Sequence, residues 1–192
     1  LPTVYAISSA ENFASGAVKI LDSLGIVNFL SFGSECNDIS ILSQVTDVLV
    51  DEPPEYKTLL SHELDKGVSF PKARERALMM YLNDVRRFAS VLSSPNNILG
   101  IEYLKALKRQ KSLMQPITIQ RKDSKYNDDT IPTDSQFASA TALRKLCATH
   151  HSDILQRFMP EASYKILNDA MENGNIVKNI SDFDKLIIYT LR

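Results

Sequence analysis

The chain has 192 residues, of which 44% are hydrophobic and 23% charged, with a formal net charge of −1. That is enough for one domain with a sizeable core, or for a domain and an appendage. The near-zero charge excludes bulk attraction to nucleic acid, so any RNA contact needs a local basic patch. No apolar run approaches the roughly 20 residues of a membrane-spanning helix, and no basic segment leads an apolar one as in a signal peptide.

Cys36 and Cys147 lie far apart without CxxC spacing, which points to a reduced, intracellular protein. Three His and two Cys make no zinc pattern. The adjacent His150 and His151 would point about 100° apart on a helix, so no metal site is expected. The chain starts at Leu1-Pro2 rather than Met and stops inside helical sequence at Leu191-Arg192, so both ends are expected to be cut.

In chain order, Ser8-Ser9-Ala10-Glu11 has the form of a capping box, with Ser8 capping and Glu11 reaching back. Ala10, Phe13, Ala14, Ala17, Leu21 and Leu24 follow at helical spacing, and Gly25 suits the residue past the helix end. Ile26 to Phe32 reads as a buried strand that ends at Gly33-Ser34-Glu35. Helix, Gly, buried strand, Gly is the rhythm of a parallel α/β sheet, whose ligands bind beyond the C-terminal strand ends. Gly33 sits at such an end. It either lets a ligand approach the backbone or simply makes the turn.

Asp38 to Val50 predicts a helix broken at Pro53-Pro54. Further helices are expected over Glu55–Lys66, from Pro71, and over Asp84–Leu92. This all-helical run reads as an insertion or a long crossover. Ser94-Pro95-Asn96-Asn97 then opens another helix, with Ser94 as cap and Pro95 in the first position. Its first-turn N–H groups suit either an ordinary capped start or an anion, above all a phosphate. Ile98, Ile101, Leu104 and Leu107 are expected inward, with Lys105, Lys108 and Arg109 on other faces.

Gln115 to Gln120 alternates as a strand, followed by Arg121 and a polar, turn-rich stretch from Lys122 to Asp134. Ser139 is a good cap for the next helix, where Thr141 and Arg144 share a face. A hydroxyl and a guanidinium at a helix start suit a triphosphate, or else Arg144 merely faces water. From Ser152 the pattern is helical again. The basic cluster of Lys105, Lys108, Arg109, Lys111, Arg121, Lys122 and Lys125 is either a solvated face or an RNA patch.

Several segments together resemble the bacterial tRNA(Met) cytidine acetate ligase family, which is similar to the HIGH-type nucleotidyltransferases. They are Leu1–Ala6 with Phe13-Ala14-Ser15-Gly16-Ala17, Phe32-Gly33-Ser34-Glu35, Ser94–Tyr103, Pro116–Arg121 and Ala138–Arg144. Ser94–Tyr103 is the most specific of them, and the resemblance runs over essentially the whole chain. It implies a partial Rossmann-like parallel sheet with a helical insertion at about 51–93, in an ATP-binding domain over 1–150. The start of a helical C-terminal domain would follow over 151–192.

The activity implied is activation of acetate by ATP, with Mg2+, to acetyl-adenylate. Acetyl transfer to N4 of the wobble cytidine of elongator tRNA(Met) follows, in the cytoplasm and without a membrane. Gly33, Asn96 and Arg121 fall on the family's ATP positions, and Ser139, Thr141 and Arg144 on the superfamily's phosphate motif. Lys105, Lys108, Arg109 and Lys122 are the weaker candidates for tRNA. The family's His pair would precede Leu1, so no catalytic residue is assigned. A basic C-terminal segment would follow Arg192. A chain limited to these residues is expected to be inactive as a ligase. Asn127 stands where the family often has His, so it cannot supply that proton chemistry. The alternatives are a small-molecule adenylyltransferase of the same superfamily and a non-catalytic nucleotide- or RNA-binding fragment.

Overall fold

A computed structural model describes residues 1–88, 91–120, 138–149, 152–175 and 180–191. They fall into two compact units, Leu1–Arg121 and Lys122–Arg192.

The first unit begins with a single turn, α1 (Thr3–Ala6), followed by α2 (Ala10–Ser23). The cap of α2 is Ser9 rather than Ser8: its hydroxyl accepts from the Asn12 N–H at 3.3 Å. Ser8 is used by the preceding turn, donating to the Tyr5 carbonyl at 2.8 Å, and this moves the cap one residue on. Gly25, at φ +67°, takes the left-handed conformation that ends the segment.

The first strand, β1, runs Phe29–Ser34 rather than 26–32. Strand extent is set by pairing, and the ladder opens where the Gln115 N–H donates to the Asn28 carbonyl. Ile26 lies before that point and is exposed. The ladder then continues through Gly33 and Ser34 to Ile119 and Gln120.

Asp38 caps α3 (Ile39–Asp51) by accepting from the Ile41 N–H at 3.0 Å. Next come α4 (Pro54–Asp65) and α5 (Phe70–Tyr81), packed as a hairpin with Tyr56 and Tyr81 edge to face at 6.2 Å. Of the expected helix over Asp84–Leu92, the described residues show α6 (Val85–Phe88), and Val91–Ser93 form a turn. Pro95 lies close behind, and a proline disfavours helix in the residue before it. Finally come α7 (Pro95–Gln110) and β2 (Gln115–Gln120), which pairs parallel with β1. Together these elements give an α/β fold in which, among the described residues, β1 and β2 are joined through five helices.

The core forms around α7. Ile101, Leu104 and Leu107 are buried together with Val18 of α2, Phe32 of β1, and Leu42 and Val45 of α3. Removal of each such side chain from water contributes on the order of 1.5–3 kcal/mol. On β1, Leu30, Phe32 and Ser34 are buried and the alternate residues exposed, the period-2 pattern of a sheet covered on one side.

The second unit is helical in its described parts: α8 (Ala140–Ala148), α9 (Ser152–Leu155), α10 (Glu161–Glu172) and α11 (Asp184–Thr190). Single 3-10 turns over Gln156–Phe158 and Ile180–Phe183 accompany them. No helix among the described residues is long and apolar enough to cross a membrane.

Gly100 lies where α7 crosses β1. A Cβ there would meet Phe32 Cε2 at 2.7 Å and Leu42 Cδ1 at 3.6 Å. The Phe32 ring is itself held against Tyr103, with centroids 5.7 Å apart. Gly100→Ala gains about 1 kcal/mol of helix propensity but overpacks the core at a cost of about 1–3 kcal/mol. The expected result is a lower urea midpoint for Gly100→Ala. A raised midpoint would show that the ring moves aside freely.

Candidate nucleotide site

β1 and α7 meet at their ends, β1 with its C-terminus and α7 with its N-terminus. Glu35 follows the last residue of β1, and its carboxylate lies at the first turn of α7. Its Oε1 accepts from the Asn96 backbone N–H at 3.2 Å and from Asn96 Nδ2 at 2.7 Å. Its Oε2 accepts from the Asn97 N–H at 2.8 Å. The Asn97 side chain answers in the other direction: its Oδ1 accepts from the backbone N–H groups of Glu35 at 2.9 Å and Cys36 at 3.1 Å. Asn97 is 2% exposed, and every contact in this set joins residues 61 or 62 positions apart. Ser94 occupies the cap position but makes no side-chain cap hydrogen bond. The expected cap is replaced by a carboxylate from another element.

Ser34 anchors the same corner. It is fully buried, hydrogen-bonded to Thr118 across the strands at 2.6 Å, and accepts from the Asn37 N–H at 2.9 Å. Gly33 alternates with buried Phe32 and Ser34, so it is exposed on the other face, opposite Ile119. Of the expected ATP residues, Gly33 and Asn96 are thus brought to one corner, linked through Glu35. Arg121 follows β2 in sequence and lies outside the described residues, as does Lys122.

In the second unit Ser139 caps α8 as expected, accepting from the Ala142 N–H at 3.0 Å, and is buried. Thr141 and Arg144 are exposed in the first turns of that helix. Among the described residues no group of three His, Cys, Asp or Glu side chains is placed to hold a metal ion, and both cysteines are free.

The basic cluster is not uniformly solvated. Lys105, expected on a polar face, is 7% exposed and paired with buried Glu102 at 2.7 Å. Its long stem is drawn into the seam between α2 and α7, where Glu11 lies 3.5 Å from its ammonium. Arg109 also binds Glu11. Lys108 holds Asp47 at 2.9 Å and Asp51 at 2.8 Å, and these two hydrogen bonds, Asp51 first, push its pKa up. Lys108 and Arg109 remain exposed at the surface.

Glu35 and Asn97 are the residues that the sequence reading passed over. The readable signal was an acid directly after a Gly-Ser strand end, facing a helix start that carries two Asn.

Burial works to raise the Glu35 pKa. The hydrogen bonds from the Asn96 amide and from the Asn96 and Asn97 N–H groups overcome it and hold the carboxyl below the ordinary glutamate value. With the native value below the unfolded one, Glu35 stabilises the fold fully above the ordinary glutamate range. That contribution is lost as pH falls from that range through the lowered native value. The stability difference between wild type and Glu35→Gln is therefore expected to be largest near neutrality and to shrink below about pH 4.5. Urea titrations across that range measure it, and a pH-independent difference contradicts the lock.

A parallel strand pair with a helix start at its C-terminal end is the arrangement in which α/β proteins hold nucleotides. The HIGH Nucleotidyl Transferase family model matches residues 1–192, and the chain belongs to that family. More particularly, it is 44% identical to a tRNA(Met) cytidine acetate ligase of Caldanaerobacter subterraneus subsp. tengcongensis, over 100% of this chain and 47% of that protein. It is 45% identical to the protein of the same name from Clostridium novyi, over 95% of this chain and 46% of that protein. The chain spans about half the length of the curated relatives it matches. Apo Thermotoga maritima TmcAL superposes with a TM-score of 0.84 at 36% identity, covering 91% of this chain and 41% of that one. The same protein bound with alpha-thio ATP gives a TM-score of 0.77 at 36% identity, covering 91% of this chain and 40% of that one.

Proposed function

We propose that the chain is part of an ATP-dependent tRNA(Met) cytidine acetate ligase of the cytoplasm. In this reading acetate attacks the α-phosphate of ATP to give acetyl-adenylate and pyrophosphate. The acetyl group then passes to N4 of the wobble cytidine of elongator tRNA(Met), with AMP as the leaving group and loss of a proton from the amine. The observation that carries the reading is the corner at which Asn96 is held by Glu35, two residues after Gly33, in a nucleotidyl transferase chain. The names of its relatives and the ATP analogue in the Thermotoga protein support it.

Adenylate formation asks little covalent chemistry of the protein. It needs in-line placement, and positive charge or N–H donors where the leaving pyrophosphate gathers charge. We assign Gly33, Asn96 and Arg121 to ATP and Ser139, Thr141 and Arg144 to its phosphates. Asn96 binds and Gly33 gives backbone access. The guanidinium groups of Arg121 and Arg144 suit bidentate phosphate contacts. The described residues include no acidic cage for Mg2+, and every described hydrogen bond to Glu35 serves the α7 start. In this reading Mg2+ accompanies the triphosphate. For tRNA, Lys108 and Arg109 are exposed and can exchange Asp47, Asp51 and Glu11 for phosphates. Lys105 is tied into the α2–α7 seam.

In the full-length protein, Asn96→Ala and Arg121→Ala are expected to lower acetate-dependent ATP–pyrophosphate exchange by about 100-fold or more, and Asn96→Ala is also expected to lower the melting temperature by removing its charged hydrogen bond to Glu35. Normal exchange in both variants removes these residues from the site. Cells lacking the gene are expected to lose N4-acetylcytidine from their tRNA, read by mass spectrometry of nucleosides. Its persistence would count against the ligase reading.

A further inference from the structure

We propose that the cavity between α3 and the C-terminal end of α7 holds one unstacked base of the RNA substrate, with Lys111 on the phosphate beside it. The inference rests on the reading that the chain is part of a tRNA(Met) cytidine acetate ligase. It places a second contact for the RNA well away from the nucleotide corner.

The cavity has a volume of about 320 Å³, at the small end of ligand sites. That suits a single base rather than a nucleoside triphosphate. Its floor is apolar: Leu104, Leu107 and Met114 are buried there, and Pro116 near the start of β2 completes it. Every base has a flat face that packs on such a surface, and the polarizable thioether of Met114 is well suited to an aromatic ring. Bases become available for this kind of contact where RNA is single-stranded and they are splayed out of the stack.

The mouth of the cavity is polar, and part of it is unspent. Lys108 is committed to Asp47 and Asp51. Lys111 and Ser43 also line the cavity, and neither side chain makes a hydrogen bond or ion pair among the described residues. Asp47 gives Lys108 its Oδ1, which leaves Oδ2 as an acceptor. An apolar floor, an acceptor and a hydroxyl at the edge, and a cation outside them match the three parts of a nucleotide: base face, base edge and phosphate. An apolar side chain from a protein partner would use the floor alone.

The backbone at Lys111 is an independent observation. This residue ends α7 in the left-handed conformation, at φ +53°, a place where glycine is the usual residue. A lysine stands there against the preference of the backbone, and it brings its charge to the cavity.

Residues 96 and 108 lie on one helix, roughly 18 Å apart along its axis. The base held in the cavity is therefore not the one that meets the activated acetyl group. It sets the register of the RNA while another base is modified.

The test is binding of elongator tRNA(Met) to the full-length protein at several salt concentrations. Lys111→Gly removes the charge and relieves the left-handed backbone, so its melting temperature is expected at or above wild type. Its affinity for the tRNA is expected to fall several-fold, and the slope of log affinity against log salt to lessen by about 0.7 to 1, the signature of one phosphate contact. Ser43→Leu fills the cavity without changing charge. It is expected to weaken binding about tenfold, the scale of one lost base contact, with the salt slope unchanged.

The proposal is overturned if either variant binds the tRNA like wild type, or if Lys111→Gly leaves the salt slope as it was. A loss in Lys111→Gly with normal binding in Ser43→Leu means a lysine on the RNA backbone and no base in the cavity. Failure of the underlying reading has a different signature: the wild-type full-length protein shows no affinity for the tRNA, and the proposal falls with it.

Discussion

The first unit depends on one exchange of hydrogen bonds, in which Glu35 takes the first-turn N–H groups of α7 and Asn97 takes the backbone N–H groups that follow β1. A buried N–H without a partner costs about 1–3 kcal/mol. Here two sets of otherwise unsatisfied donors, one at a strand exit and one at a helix entry, satisfy each other's elements. The apolar core around Ile101 and Phe32 supplies adhesion between α7 and β1 but fixes their mutual register only loosely, because hydrophobic contact has no direction. The polar corner adds the direction. Ser34 and Thr118 extend the same fixation to the second strand.

The flank of α7 works by a different balance. Lys105 and Glu102 form a buried pair on the helix itself, and Lys108 and Arg109 are matched to carboxylates of α3 and α2. The exposed pairs contribute little each to stability, typically below about 1 kcal/mol. Their chemical meaning lies in exchangeability. A carboxylate at the surface can be displaced by a phosphate under mass action, whereas the partner of a buried ammonium cannot leave without stranding a charge. A run of lysines that looks uniform in sequence thus divides into one structural and several available cations.

Much of the fold was legible because local signals agreed. The strand over Gln115–Gln120 alternates cleanly, Asp38 and Ser139 precede apolar periodic runs, and Pro95 marks a helix start. What was missed depended on partners far away in sequence. The first strand was placed early because Ile26 to Phe32 is the apolar run, whereas its true extent follows from pairing with β2. Ser8 and Ser9 offered equivalent caps, and only the turn of α1 separates them. Lys105 sat where the helical pattern puts polar residues, and nothing local announces that Glu102 and Glu11 receive it. The candidate site shows the same divide. Gly33 and Asn96 could be named from the motifs that contain them, but Glu35 acquires its meaning only when β1 and α7 come together.

The parallel pairing of β1 and β2 has a consequence for how the chain tolerates change. Ser34 and Thr118 touch although 84 positions separate them, and α4 and α5 within that span pack chiefly on each other. Loop-closure entropy grows only logarithmically, about 0.6 kcal/mol for each doubling of length. Lengthening a turn in the segment between Glu52 and Ser94 therefore costs the sheet little, provided that Tyr56, Leu78 and Phe88 keep their places in the core. The helical hairpin is a region where insertions and deletions can accumulate while the corner at Glu35 stays intact, and length differences among relatives are expected to concentrate there.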